Sequence, residues 1–409
     1  MGKISGIQIQ NFGSLKSVKL GKVYSDPTSV KDLSNIIAII GKNGTGKSTL
    51  ADSFGFIADC FDKDVESACD ANGRGGYEKI ISQGVRDPIR FQIYYRESSN
   101  SQPITYELAI GLDNNQRPVV VEERLRQRRH GTSFGRPLSF LHLKYGKGFA
   151  FKGIEGGADD ETGVEEGDKT DVILSDPRKL GIVTLGELSD HPRIELFKNF
   201  IKSWYLCYFS PGAAREIPNA GPQQYLDKFG KNLNNVAQFM ERDDPNKFRR
   251  ILNDIQTKIP GIEAISSEKM PNGQLVLKFK ESGFKDYFYS QKMSDGTLKL
   301  VAYYLLLNEK SPRSLVFIEE PENGLYHQYL AELAIEMKKN AGKGFNKQLF
   351  ITTHSPFFVN ALTPDEVWVL EKQKNGFTQV KRASSYEFVE SLAAEGAELG
   401  DLWYSQYFD

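Results

Sequence analysis

Cysteine is scarce. Cys60, Cys69 and Cys207 are the only three in 409 residues. Their irregular spacing excludes a disulfide framework and a C-x-x-C metal site, and it is the usage expected of a cytoplasmic protein with reduced thiols. Long apolar runs are missing too. Runs such as residues 36–40 and 315–318 are strand-sized, against the ~20 residues a membrane helix needs. No apolar leader follows Met1, and Gly6 stands where myristoylation asks for serine or threonine. A surplus of either charge is absent: 52 Lys and Arg face 53 Asp and Glu, so net charge names no partner. With 39% hydrophobic and 26% charged residues, disorder throughout is excluded and a sizeable core is expected.

Residues 3–20 read as two short strands around a turn at Asn11-Phe12-Gly13-Ser14. The continuous apolar run 36–40 reads as a strand buried on both faces, with a helix over 47–61 behind it. Residues 87–151 alternate apolar and polar with turn signals, which predicts an antiparallel meander with a tight hairpin at 145–148. Residues 155–171 carry eight acids and one lysine among glycines and read as a solvated, mobile loop. Helices are expected over 193–204, 222–239, 245–259 and 295–308, with strands at 275–279 and 286–289. After residue 314, strand and helix alternate, implying a parallel sheet covered by helices.

Four elements carry chemistry. Gly41-Lys42-Asn43-Gly44-Thr45-Gly46-Lys47-Ser48, followed by Thr49, fits G-x-x-x-x-G-K-[ST] without a mismatch. Glycines let successive N–H groups curl around a phosphate, and the following helix aims its positive end at the same anion. Lys47 would reach the β- and γ-phosphates of ATP, and Ser48 would ligate magnesium. Second, the strand at 315–318 delivers Glu319 and Glu320 to its C-terminal end, where such sheets bind ligands. Glu319 would hold Mg2+ through its water shell, and Glu320 would orient or deprotonate the attacking water. Third, the strand at 348–352 ends in polar residues with His354 at its tip, a candidate γ-phosphate sensor. Fourth, Ser294-Asp295-Gly296-Thr297 opens a helix, with Ser294 as N-cap and Gly296 permitting close approach.

In order and surrounding text, these elements resemble ABC-type ATPase heads of the SMC and RecF branch, above all the compact OLD-type and related anti-phage AAA-family ATPases. The resemblance rests on Ser294-Asp295-Gly296-Thr297, on Glu319-Glu320-Pro321-Glu322-Asn323-Gly324-Leu325 and on Thr352-Thr353-His354-Ser355-Pro356. It implies an α/β fold: one ABC-type P-loop head with a mixed sheet core, an antiparallel β subdomain and an inserted helical lid. The expected parts are a P-loop lobe to 155, an acidic linker over 156–190, a lid over 191–300 and a C-terminal lobe from 301. It further implies Walker A at 41–48, an ABC signature at 294–297, Walker B at 315–320, a D-loop from Glu322 and His354 as the H-switch. The Q-loop glutamine is left open between Gln83 and Gln92.

Further absences narrow the function. The helical stretch is broken at Asp244-Pro245, so no long coiled coil is expected. N-K-x-D is missing, which argues against a GTPase, and 55 residues after His354 are too few for a Toprim nuclease. Arg124, Arg126, Arg128, Arg129 and Arg136 could form a phosphate-binding strip for nucleic acid, or merely protect an edge strand. The leading expectation is an ATP-hydrolysing switch, a homodimer around ATP, gating a separately encoded effector such as a nuclease or toxin, without a membrane. A slow-hydrolysing assembly scaffold and a DNA-end-binding repair ATPase are the rivals.

Overall fold

The computed structural model describes residues 2–24, 31–128, 136–154, 156–158, 165–259, 261–309, 313–342 and 347–408. A six-stranded sheet organises the molecule. Its order is Tyr205–Cys207, Leu315–Glu319, Gln348–Thr352, Ile36–Ile40, Val367–Lys372 and Thr378–Arg382. The first five strands run parallel and the last returns antiparallel.

Side-chain alternation divides this sheet between two cores. Ile37, Ile39, Leu315, Phe317 and Phe350 face one core, while Ile36, Ala38, Ile40, Val316, Ile318, Leu349 and Ile351 face the other. The helix Lys47–Asp62 covers the first face. Its Phe54 is fully buried, with ring centroids 4.9 Å from Phe350 and 5.3 Å from Phe317. Truncating such a residue to alanine costs about 3–5 kcal/mol. The helix Asp295–Leu307 covers the opposite face through Leu298, Val301, Ala302 and Leu305. The sheet therefore separates the two helices that open at the candidate phosphate sites.

The meander is present as an antiparallel sheet. Strands Ile89–Arg96, Ile104–Leu112, Pro118–Gln127 and Leu138–Lys144 pair in sequence, and Ile89–Arg96 also joins the hairpin of Lys3–Phe12 with Leu15–Gly21. The hairpin expected at 145–148 closes through Tyr145 and Gly146, at φ 48° and 72°. Both residues lie in the left-handed region, as a two-residue turn matching strand twist requires.

Two expectations fail, and some strands come unannounced. Residues 222–232 are not helical, and the helix runs over Leu233–Asp243. The Asp227 carboxylate accepts from the N–H groups of Phe229, Gly230 and Asn232, offering the backbone a turn in place of a helix. Tyr205–Cys207, Ile262–Lys269 and Thr378–Arg382 are unforeseen strands, and in the second a bulge between Ile262 and Ala264 breaks the alternation. The acidic stretch is not wholly a loop. Lys169–Ile173 pairs with Lys147–Phe151, and Glu165–Glu166 pairs with Gly157–Ala158, while residues 155 and 159–164 lie outside the described residues.

Among the described residues the longest helix is Lys47–Asp62, at 16 residues, and no helix is long and apolar enough to cross a membrane. All three thiols are buried and free. Burial pushes Cys69 up to about 12 and Cys207 up to about 11, so neither is a poised nucleophile.

Candidate nucleotide site

The buried strand Ile36–Ile40 ends at Gly41, where the chain leaves the sheet and curls back before the helix Lys47–Asp62. The curl requires glycine at Gly46, which has φ 103°. A Cβ there would lie 2.4 Å from Thr378 Oγ1 and 2.7 Å from Ser14 Oγ. Thr378 also braces the loop: its Oγ1 donates to the Thr45 carbonyl at 2.8 Å, and Thr45 Oγ1 donates to the Lys42 carbonyl at 2.9 Å. Lys47 Nζ donates to the carbonyls of Gly41 and Lys42, at 2.8 and 3.2 Å. Burial lowers the Lys47 ammonium below the usual lysine value, against the opposing pull of Glu320, Glu322 and Glu319. The lysine is thus held at the loop's mouth among three carboxylates.

Glu319 ends its strand, one strand removed from Ile36–Ile40. Its carboxyl is raised above the ordinary range by burial, while a hydrogen bond from the Ser48 hydroxyl pulls the other way. Ser48 and Glu319, 271 residues apart in sequence, therefore meet. A hydroxyl and a carboxylate are hard oxygen donors, a set that fits magnesium with retained waters. Glu320 follows at φ 43°, its N–H donating to the Thr352 carbonyl at 2.9 Å. Left-handed backbone costs a non-glycine residue roughly 1–2 kcal/mol, and here it turns the Glu320 side chain from the strand line toward its neighbour. His354 Nε2 lies 3.1 Å from Glu320 Oε1, both side chains about a third exposed at 32% and 34%. The strand carrying His354 lies between those of the P-loop and Glu319. Lys47, Ser48, Glu319, Glu320 and His354 thus converge at one end of the sheet.

Ser294 caps its helix as expected: its Oγ accepts from Thr297 N–H at 3.1 Å. It is exposed. A Cβ on Gly296 would lie 2.9 Å from the Gly324 carbonyl oxygen, so the helix start rests against the segment that follows Glu320. Arg215 donates to the Met293 carbonyl at 2.8 Å and pairs with Asp295.

Several residues of this site were not legible in advance. Thr378 braces the loop at the Thr45 carbonyl with Ser14 Oγ beside it, Asn323 donates to Glu320 Oε2 at 2.7 Å, and Glu322 accepts from the His354 N–H. The motif text around Glu320 contained the last two, but no spacing rule assigned them a contact. Of the two glutamines, Gln92 donates to Glu107 within the antiparallel sheet at 2.8 Å, whereas Gln83 is exposed. The loop holding Gln83 is pinned at Ser82, which donates to the Gly13 carbonyl beside the P-loop helix. The arginine strip is not a row of uncommitted cations. Arg126 pairs with Glu107, Arg124 Nε donates to Ser139 Oγ at 2.6 Å, and Arg129 lies outside the described residues.

The sequence matches, over residues 36–360, the AAA_21 family described as "AAA domain, putative AbiEii toxin, Type IV TA system". No curated protein matches the sequence significantly. Among solved structures, a crystal structure of the SmcHead bound to the C-winged helix domain of ScpA is similar at 14% identity and TM-score 0.53, covering 93% of this chain and 97% of that one. The SMC head domain from Thermotoga maritima shares 12% identity at TM-score 0.46, covering 93% of this chain and 98% of that one. An Smc head domain from Pyrococcus furiosus shares 13% identity at TM-score 0.48, covering 96% and 100%. At these identities the likeness is one of fold, and the first structure carries it: a mixed α/β head with an antiparallel β subdomain. The chain belongs to the AAA_21 family of P-loop AAA domains.

Proposed function

We propose that this P-loop domain is a cytoplasmic ATP-hydrolysing switch that closes as a homodimer around ATP and gates a separately encoded effector, such as a nuclease, in bacterial anti-phage defence. The observation that carries the reading is the convergence of Lys47 and Ser48 with Glu319, Glu320 and His354 at one end of the central sheet. In this reading the loop 41–49 cradles the phosphates, and Ser48 and Glu319 hold magnesium. When bound, the ion would polarise the terminal phosphate and offset its charge. Glu320 accepts a proton from the attacking water, and His354 holds the carboxylate in line. The family description, which names a toxin and a Type IV TA system, supports the defence setting.

The position of Ser294 supports the dimer. Its helix is on the sheet face opposite the P-loop helix, and its exposed N-terminus sits at the rim beside Gly324. That placement suits donation to phosphates held by a second copy, with both composite sites equivalent by two-fold symmetry. The DNA-end reading draws little support from the arginine strip, since Arg126 is committed to Glu107.

Turnover measured with and without DNA, at several salt concentrations, tests the reading. Hydrolysis that needs Glu320 and ignores DNA is expected. Several-fold, salt-sensitive stimulation would favour DNA-end recognition, and near-zero turnover with tight ATP binding would favour the scaffold. Purification of the native complex, with its partner identified by mass, tests the gated effector.

A further inference from the structure

A chain of contacts runs from the signature helix to the hydrolytic carboxylate, and the P-loop chemistry above does not use it. Lys299 lies five residues beyond Ser294 on the helix Asp295–Leu307 and is buried. Its Nζ donates to the Asn323 carbonyl at 2.6 Å. The side-chain amide of the same Asn323 donates to Glu320 Oε2 at 2.7 Å, and its N–H donates to the Glu320 carbonyl at 3.1 Å. The other carboxylate oxygen, Oε1, faces His354. Both oxygens of Glu320 are therefore oriented, one by the H-switch strand and one by a loop tied to the signature helix.

We propose that Asn323 positions the Glu320 carboxylate and that Lys299 couples this position to the signature helix of the same chain. The inference rests on the reading of Glu320 as the general base.

A buried ammonium loses hydration and needs a strong acceptor. Lys299 finds it in one loop carbonyl, with Glu322, Glu320 and Asp295 adding attraction. Helix and loop also touch at Gly296, where no space remains for a Cβ beneath the Gly324 carbonyl. Two contacts along one helix face make helix and loop move together. A shift of the helix when Ser294 engages a phosphate moves the Asn323 carbonyl, and the amide on the same residue carries that motion to Glu320. Closure of the dimer thereby bears on the angle of the base.

The full chain tests this with three substitutions. Asn323 lies in an exposed loop, so Asn323→Ala should fold as the parent does. It should lower kcat by roughly 10- to 100-fold, the scale on which misplacement of a catalytic group acts, with ATP affinity and thermal midpoint unchanged. Lys299→Met should lower kcat in the same direction, and Lys299→Arg should restore part of it. In a Glu320→Gln background, Asn323→Ala should cost nothing further, since it acts only through that carboxylate. Wild-type kcat in Asn323→Ala, or an equal loss in the Glu320→Gln background, overturns the positioning role while leaving the base in place. Unimpaired hydrolysis by Glu320→Gln alone overturns the base reading itself, and the coupling with it.

Discussion

Glu320 Oε1 stands 3.1 Å from His354 Nε2, although the two residues leave different strands and are 34 positions apart. The contact exists because Glu319 and Thr352 are register partners at the ends of parallel neighbours. One residue beyond that pair, the left-handed turn at Glu320 brings its carboxylate across to the next strand's tip. The geometry makes each side chain the other's guide.

Glu320→Gln keeps the shape and the Asn323 contact but removes the proposed proton acceptor. ATP should still bind while hydrolysis slows by roughly 10²–10⁴-fold, the usual worth of a general base. Single-turnover measurement separates the two quantities. Normal hydrolysis would move the role to His354.

Lys47→Ala should abolish ATP binding. The site then loses the cation that P-loops place over the β/γ-phosphates. A nucleotide titration reads this directly, and unchanged affinity would refute the P-loop assignment.

Gly296→Ala is informative because alanine ordinarily stabilises a helix by about 0.8–1.0 kcal/mol over glycine. Here the added Cβ lies 2.9 Å from the Gly324 carbonyl oxygen, a backbone atom. Helix and loop must part, so ATPase activity should fall while ATP binding at Lys47 is retained. Full activity would show that the contact is incidental.

Glu123 gives a pH signature far from the nucleotide. It is fully buried, and burial pushes its carboxyl up to about 7, against hydrogen bonds from Gly181 N–H, Tyr106 Oη and Ile182 N–H. A carboxyl raised on folding contributes stability that is complete below its unfolded value, near 4.5, and is lost as pH rises through about 7. Denaturant midpoints should show that loss, up to about 3 kcal/mol by the linkage relation. Glu123→Gln should flatten the profile over that window, and an unchanged slope would place the titration elsewhere.

The sequence made legible what depends on period and motif. The buried run 36–40, the glycines 41–46 and the strand ends at Glu319 and Thr352 each follow from local rules, and their convergence follows from a parallel sheet. What it concealed depends on chain partners hundreds of residues apart. Thr378 bracing Thr45 is a contact across 333 positions, with no pattern to announce it. Asn323 reads as motif text in the sequence, and its contact to Glu320 exists only in the folded loop. The helix expected over 222–239 begins only at Leu233 for a local reason, the competing turn at Asp227.

The composite site is the central claim, and mixing two inactive variants tests it most directly. Lys47→Ala and Ser294→Arg should each be dead alone, because each spoils both sites of a symmetric dimer. In a mixed dimer one site collects both lesions, while the other pairs an intact Lys47 with an intact Ser294. Random exchange makes about half the dimers mixed, so independent sites should restore roughly a quarter of wild-type ATPase activity. A parallel mixture of Glu320→Gln with wild type reports whether the sites fire independently. If they do and the two dead variants still fail to complement, Ser294 does not act on a second copy's nucleotide, and the ATP-sandwich dimer is wrong.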